Sequence, residues 1–230
     1  MVAMDLSTVL YAAAGGIIPS LIWTWFWIKE DAKHPEPKQM IVAAFLVGMI
    51  AVAAVIPLEK LTSVFFSGTA MFIAWAAIEE IMKFALAYFT VLAHKANNEP
   101  VDALIYMITV ALGFTAAENT LFLLSPVSDN NIIESLITGN FRFLGATLLH
   151  VLASSVIGLA MGLAFYKRKS VRFWYITVGL ILSIILHSAF NLSILSSNNG
   201  ELFRIFSFVW IGLILLLIAF EHVKRITKPK

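Results

Sequence analysis

Residues 64–93 read VFFSGTAMFIAWAAIEEIMKFALAYFTVLA, thirty residues in which only Glu79, Glu80 and Lys83 carry a formal charge. An α-helix rises about 1.5 Å per residue, so about 20 apolar residues cross the hydrocarbon core of a bilayer. The stretch is therefore long enough to span a membrane as a helix. Its three charged side chains are costly in lipid, so other parts of the chain must supply polar partners for them.

Six further apolar runs accompany this stretch, and together they indicate the fold class. The seven runs cover residues 6–28, 40–57, 64–93, 101–124, 143–165, 173–195 and 202–220. They lack the alternation of barrel strands, and backbone groups in lipid must be satisfied within each segment, so each run predicts a helix. The chain is 60% hydrophobic and only 13% charged, whereas a soluble domain has roughly 25% charged residues. We predict one all-α domain over residues 1–230, a polytopic membrane bundle of about seven transmembrane helices.

The charges of the loops predict the orientation of the bundle. One set of alternate loops, with the C-terminal tail, holds twelve Lys and Arg residues, whereas the other set, with the N-terminus, holds three. Cytoplasmic loops are enriched in cations. This predicts a multi-pass protein of the cell membrane with its N-terminus outside and its C-terminus in the cytoplasm. The segment from Ile132 to Ile137 predicts a short helix on the outer surface.

The composition also excludes several classes of function. A net charge of only +2 provides no electrostatic footprint for nucleic acid, so we expect no nucleic-acid partner and a bilayer as the surroundings. The sequence has no cysteine. This excludes disulfide frameworks, thiolate metal sites and cysteine-protease chemistry.

A few ionisable side chains lie inside the apolar runs, where charge is unfavourable. They are Glu79, Glu80, Lys83, Glu118, His150 and His187. An ionised side chain near the bilayer centre costs about 2.5 to 3.5 kcal/mol. Four unpaired charges would therefore cost on the order of 10 kcal/mol, which is comparable with the whole stability of a typical domain. These groups must face one another, or water, inside the bundle.

Helical spacing indicates which of these groups share a face. Lys83 follows Glu79 by four residues and Glu80 by three, so it can neutralise one carboxylate while the other points elsewhere around the helix. Asn191 follows His187 by four residues and lies on the same face. One carboxylate of the pair is then structural and the other is available for chemistry.

Depth in the membrane supports the same grouping. Glu118, His150 and His187 lie six, seven and eight residues from the outer ends of their runs. At about 1.5 Å per residue, all three lie roughly 10 Å below the outer boundary. Glu79 is somewhat deeper. Four helices are thus expected to present polar groups to one patch in the outer half of the membrane.

A carboxylate beside neutral imidazoles and an amide fits peptide-bond hydrolysis by activated water. Other intramembrane protease types are excluded, because the sequence has no H-E-x-x-H motif and no pair of mid-membrane aspartates.

A proton-coupled transporter or channel is the main alternative, since buried Glu, His and Lys also form proton relays. Carriers usually show repeats and broken helices, which are not evident here. A catalytically inactive protein that holds transmembrane helices is a third possibility.

Four ordered motifs resemble those of the PrsW family of intramembrane proteases. They are Glu79-Glu80-Ile81-Met82-Lys83 for EExxK, Phe114 to Asn119 for FxxxEN, His150 with Ser154, Gly158 and Gly162 for the third conserved segment, and His187 to Asn191 for HxxxN. The small residues after His150 would also let a neighbouring helix approach closely. The resemblance covers roughly residues 15–195. It implies a relative of the CAAX endopeptidase and abortive-infection superfamily that cuts a single-span, anti-sigma-factor-like membrane protein on the outer side.

The resemblance also implies roles for the residues of the first two motifs. Glu79 would be the general base for water, with Glu80 held by Lys83 or sharing the proton, although the motif does not distinguish which glutamate is the base. Phe114 and Asn119 would support the site from the second motif.

The remaining motif residues leave two mechanisms open. Glu118 and His150 would complete the binding of water or metal, and His187 and Asn191 would donate hydrogen bonds to the oxyanion. His150, His187 and Glu118 can supply three zinc ligands with an open fourth position. The superfamily equally supports a metal-free mechanism based on glutamate and histidine, and the sequence does not choose between them.

Overall fold

The computed structural model describes residues 5–30, 35–128, 145–196 and 202–228. Every regular element in these ranges is a helix, as expected for a backbone that satisfies its own polar groups in lipid. The helices are α1 (Leu6–Glu30), α2 (Lys38–Phe65), α3 (Gly68–Ala87), α4 (Asp102–Ser128), α5 (Thr147–Leu163), α6 (Lys169–Ser196) and α7 (Leu202–Val223). The predicted all-α polytopic membrane bundle is confirmed. The surface helix expected at 132–137 lies outside the described residues.

In the described ranges, five helices are long and apolar enough to cross a membrane, namely α1, α2, α4, α6 and α7. The other two are shorter or more charged. Helix α5 has 17 residues, and α3 has 20 residues that include Glu79, Glu80 and Lys83. Helix α3 continues without a break into a π-helical turn, Tyr88–Leu92, which lengthens it toward the opposite surface.

The boundary between α2 and α3 differs from the one expected from the sequence. Helix α2 continues through Pro57 and ends at Phe65, and α3 begins at Gly68 after a short break. Gly68 has a φ of +56°, a conformation that glycine adopts without strain, and it allows the chain to reverse. Residues 58–65, which include Glu59, therefore extend α2 instead of forming a loop.

Helix α4 forms the centre of the bundle and packs against α1, α2 and α5. Residues 101–116 are all buried. A Cβ atom at Gly48 would lie 2.0 Å from the carbonyl oxygen of Val110, and a Cβ atom at Gly113 would lie 1.9 Å from that of Phe45. Any larger residue at these positions would push α2 and α4 apart, so the two glycines allow the helices to cross in contact.

Small residues likewise bring α5 against the beginning of α4, as the sequence predicts. A Cβ atom at Gly158 would lie 2.6 Å from Cα of Leu104, and one at Gly162 would lie 2.4 Å from the carbonyl oxygen of Pro100. Helix α6 packs against α5 and α3. Helices α3, α4, α5 and α6 consequently surround a common space near the end of the bundle where α2 ends.

Candidate active site

The ionisable residues of four helices meet in one cluster. Glu79, Glu80 and Lys83 come from α3, Glu118 from α4, His150 from α5 and His187 from α6. The rings of His150 and His187 lie 4.8 Å apart and are nearly perpendicular, at 88°. Glu118 is partly exposed, whereas the other five side chains are buried. The structure thus brings together the six ionisable residues that the sequence analysis groups in one patch.

Glu80 is surrounded by hydrogen-bond donors. The ammonium group of Lys83 donates to its Oε1 at 2.5 Å, and the hydroxyls of Ser154 and Ser183 donate to its Oε2 at 2.8 and 3.0 Å. Nδ1 of His187 lies 2.9 Å from Oε1. The relative exposure of Glu80 is 0%, so these contacts compensate for the loss of hydration. Glu80 is therefore the carboxylate that Lys83 holds.

Glu79 is the next residue along α3, but its surroundings are different. Its Oε2 atom is buried and has no hydrogen-bond partner among the described residues. This oxygen lies 3.8 Å from Nζ of Lys83, 3.7 Å from Nδ1 of His150 and 3.9 Å from Nε2 of His187, all beyond hydrogen-bonding distance. Buried polar atoms without a partner are uncommon in folded proteins. Glu79 therefore presents a reactive oxygen toward the two histidines.

The hydrogen bonds determine where the two histidine rings carry their protons. Since the Glu80 carboxylate accepts from its other partners, Nδ1 of His187 donates to it, and Nε2 faces Glu79 with a lone pair. Lys83 donates to Nδ1 of His150 at 3.0 Å, so Nε2 of His150 donates to Oε2 of Glu118 at 3.1 Å. His187 thus presents a hydrogen-bond acceptor to Glu79, and the oxyanion-donating role that the resemblance implies for it stays a prediction.

The cluster opens into a cavity of about 620 Å³. Its polar lining residues are Glu59, Glu79, Glu118, His150, His187 and Asn191. Most of the remaining lining is apolar, and it includes Phe72, Trp75 and Phe114. A cavity of this size with a few convergent polar groups is typical of a binding or catalytic site. The expected site residue Asn191 thus faces the same space as Glu79.

The two expected supporting residues have separate structural roles. The ammonium group of Lys83 lies 4.4 Å from the centre of the Phe114 ring, which stabilises the buried cation. The side-chain amide of Asn119 donates to Oγ1 of Thr147 at 3.1 Å. This bond joins α4 to the first turn of α5, three residues before His150.

Sequence reasoning did not identify Glu59 and Ser183 as site residues. Glu59 lies on the extension of α2 and lines the cavity, with its carboxyl group close to that of Glu79. It was overlooked because Pro57 was interpreted as the end of the helix. Ser183 precedes His187 by four residues, so the helical repeat would have placed it on the same face.

The donor set fits a divalent metal ion such as zinc. One ligand atom from each of Glu79, His150 and His187 lies within 4.8 Å of the other two. Ligands on tetrahedral zinc, each 2.0 to 2.2 Å from the ion, lie roughly 3.3 to 3.6 Å apart. The distances of 3.7 and 3.9 Å from Oε2 of Glu79 to the imidazole nitrogens are close to this range. The lone pair on His187 and the unpartnered oxygen of Glu79 also suit a cation.

This set differs by one residue from the set expected from the sequence. Glu79 takes the place of Glu118, which instead accepts from the far nitrogen of His150. Lys83 already donates to Nδ1 of His150. An ion bound through that nitrogen would compete with Lys83 for the same lone pair.

Comparison with known proteins agrees with the motifs and the geometry. Residues 36–220 match the family described as PrsW family intramembrane metalloprotease. The chain is 24% identical to Protease PrsW of Geobacillus kaustophilus (strain HTA426) over 221 residues, covering 94% of the chain and 91% of that protein. It is 22% identical to Protease PrsW of Bacillus subtilis (strain 168), covering 87% of the chain and 91% of that protein.

A further relative shows somewhat higher identity over a shorter region. The chain is 28% identical to Protease PrsW of Clostridioides difficile (strain 630) over 184 residues, covering 76% of the chain and 75% of that protein. No solved structure matches the chain. Since the family match extends over most of the sequence and includes every residue of the buried cluster, the chain belongs to the PrsW family of intramembrane metalloproteases.

Proposed function

We propose that this intramembrane protease hydrolyses a peptide bond in or near a transmembrane segment of its substrate, with Glu79 as the base that activates water. One observation carries the assignment. Within the described part of the chain, Oε2 of Glu79 is buried at the cavity without a hydrogen-bond partner, whereas the oxygens of Glu80 accept from several donors. A base needs an oxygen that is available to accept a proton, and of the two neighbouring glutamates Glu79 offers one.

The proposed reaction assigns the protons as follows. Glu79 takes a proton from water while the water oxygen attacks the carbonyl carbon of the substrate. The same proton then passes to the leaving amine as the carbon–nitrogen bond breaks. Glu80 remains ionised, because Lys83, Ser154 and Ser183 hold it. Its function in this scheme is to fix Lys83 and His187 beside the base.

The developing negative charge on the substrate oxygen requires a donor, and Asn191 is the candidate that best fits the cavity. Its amide group is on α6, one turn after His187, and it lines the same space as Glu79. Preorganised donors of this kind are often the largest single contribution to the catalysis of acyl transfer. His187 would add to this stabilisation only after gaining a second proton.

A metal ion offers a second form of the same proposal. Glu79, His150 and His187 would hold the ion, which would act as a Lewis acid on the substrate carbonyl and lower the pKa of bound water. In that form Oε2 of Glu79 is a ligand and is not available as the base. Glu118, which contacts His150 and lines the cavity, is then the nearest remaining carboxylate for proton transfer.

The substrate that we propose is a single-span membrane protein of the anti-sigma-factor type, cut on the outer side of the cell membrane. The cavity is mostly apolar and is enclosed by helices of membrane-spanning length, which favours a substrate that is itself embedded in the bilayer. The predicted orientation places the cluster in the outer half. Family membership favours hydrolysis over proton-coupled transport.

The test compares Glu79→Gln with the wild-type protein in the source cell. Quantitative proteomics should find a single-span membrane protein that accumulates uncut in the variant, and Glu221→Gln, a matched change on the exposed end of α7, should not cause this. In phosphatidylcholine vesicles, the purified wild-type protein should cut that substrate about 10²- to 10⁴-fold faster than Glu79→Gln. Equal cleavage by both would refute the role of Glu79. A change in vesicle pH without cleavage would instead support transport.

A further inference from the structure

A second cavity, of about 780 Å³, lies beside the active-site cavity between α5, α6 and α7. We call it the α6–α7 slot. It is present because α7 packs mainly against α5 and makes few contacts with α6. Apart from Arg204 and three serines, the side chains that line the slot are apolar. Its occupant must therefore be apolar over most of its length.

The slot is elongated in the direction in which the helices cross the membrane. Along α7 its lining extends from Arg204 to Ala219. Fifteen residues of helix correspond to about 22 Å, a large part of the roughly 30 Å thickness of the hydrocarbon core. Leu215 and Phe208 line the slot and are 60% and 68% exposed, so the slot opens toward the surroundings of the bundle. These dimensions match a transmembrane helix lying alongside α6 and α7.

The slot is continuous with the active site through two shared side chains. Leu149 and Phe190 line both cavities. The residues that follow them in the sequence, His150 and Asn191, line the active-site cavity. The ring of Phe190 therefore forms part of the partition between the slot and the catalytic cluster.

We propose that the α6–α7 slot docks the transmembrane segment of the substrate, which reaches Glu79 past Phe190. This inference rests on the proposed function and specifies the route by which that function receives its substrate. A lipid acyl chain would fit any apolar groove on the bundle. The connection to the catalytic cluster through Leu149 and Phe190 favours an occupant that carries a peptide bond.

Cross-linking tests the docking directly, because the chain has no cysteine of its own. Single cysteines are introduced at Leu186 and Leu215, which line the slot, and at Ile185 and Ile214, their neighbours outside both cavities. The control positions are 56% and 57% exposed, so they are accessible from the bilayer. The probe is the single-span protein that accumulates in the Glu79→Gln strain, with one cysteine near the middle of its span. Both proteins are placed in phosphatidylcholine vesicles, with Glu79→Gln in the protease.

We expect disulfide formation with the probe to be at least about tenfold greater at Leu186→Cys and Leu215→Cys than at the two control positions. Equal cross-linking at all four positions would overturn the proposal, since it would indicate only random encounters in the bilayer. Cross-linking confined to the control positions would overturn it as well.

Filling the slot provides a second readout, in a protein with Glu79 intact. Leu215→Trp should slow cleavage of the probe at least about tenfold without lowering the melting temperature, and Ile214→Trp should leave both unchanged. If Leu215→Trp displaces a co-purifying phospholipid and cleavage continues at the wild-type rate, the slot is a lipid site and the proposal is wrong. If the wild-type protein cleaves nothing, the proposed function fails and the docking inference with it. Normal cleavage without slot-specific cross-links would refute docking alone.

Discussion

Glu79 and Glu80 are neighbours on α3 and both are buried, yet their surroundings have little in common. Oxygens of Glu80 accept from Lys83, Ser154 and Ser183 at 2.5 to 3.0 Å, whereas one oxygen of Glu79 has no partner within hydrogen-bonding distance among the residues that the structure describes. Successive helical residues point about 100° apart, so one carboxylate faces the packed interior and the other faces the cavity. This difference supports our proposal that Glu80 assembles the site and that Glu79 acts in it.

The largest expected effect on stability distinguishes these two roles. Glu80→Gln removes the counter-ion of Lys83 and leaves a buried ammonium group uncompensated, which should destabilise the protein by about 3 to 5 kcal/mol. Glu79→Gln removes a carboxylate that lies farther from the ammonium group of Lys83, at 3.8 Å instead of 2.5 Å, and its cost should be below about 1 kcal/mol. Chemical denaturation in detergent micelles measures both values. Equal losses in the two variants would contradict the division of roles.

A double variant provides the control for this difference. Glu80→Gln combined with Lys83→Met removes both partners of the close ion pair, so no buried ammonium group is left without its counter-ion. We expect the combination to recover at least half of the stability that Glu80→Gln loses, because the cost arises from the uncompensated charge rather than from the lost hydrogen bonds. A double variant as unstable as Glu80→Gln would show that the two serine contacts matter more than the charge.

Metal binding beside Glu79 depends on whether Lys83 competes with the ion for His150. Lys83 donates to the same nitrogen of His150 that lies near Glu79, and its positive charge repels a divalent cation. The Glu80→Gln/Lys83→Met protein should therefore bind zinc at least about tenfold more tightly than the wild-type protein, a gain of about 1.4 kcal/mol. Competition with a chromophoric chelator measures the affinity, and adding Glu79→Gln should abolish the gain. Unchanged zinc affinity would argue against competition between Lys83 and the metal.

The sequence predicted the cluster itself because lipid is a poor solvent for charge. Residues such as Glu118 and His187, which are far apart in the chain, had to meet for that reason alone. Helical spacing also predicted that Lys83 would pair with one glutamate, but it could not say which, since both lie within one turn of it. That choice depends on Ser154 and Ser183, which come from α5 and α6 and whose positions follow from the tertiary packing.

Two other features could not be predicted from the sequence for different physical reasons. Pro57 was interpreted as the end of a helix, although a membrane helix tolerates proline where neighbouring helices support the backbone. This error placed Glu59 in a loop. The protonated nitrogens of the histidines depend on hydrogen-bond partners from other helices, so the accepting nitrogen of His187 becomes evident only once its contact with Glu80 is known.

A substitution of Glu59 tests how the carboxyl group of Glu79 is oriented in the cavity. The carboxyl group of Glu59 lies close to that of Glu79 on the cavity wall, so we expect it to orient the proposed base from α2. Glu59→Leu should lower kcat about tenfold with little change in KM, because substrate docking does not require this residue. Glu59→Gln retains a hydrogen-bonding side chain of the same size and should recover most of the activity. Cleavage assays in vesicles measure kcat for both variants. If Glu59 only filled space, Glu59→Gln and Glu59→Leu would have the same kcat.

The smallest expected effect concerns the link that positions His150 between the two glutamates. The amide of Asn119 donates to Oγ1 of Thr147 and holds the first turn of α5 against α4. Hydrogen bonds between transmembrane helices contribute about 0.6 to 2 kcal/mol, so Asn119→Leu should lower the stability by about 1 kcal/mol. Thr109→Val is the matched control, because the hydroxyl of Thr109 is buried in the same helix but donates only to the carbonyl of Ile105. Equal destabilisation by the two variants would mean that Asn119 does not join the helices. A larger loss of stability for Asn119→Leu would indicate that this hydrogen bond fixes the position of α5 against α4, and with it the position of His150.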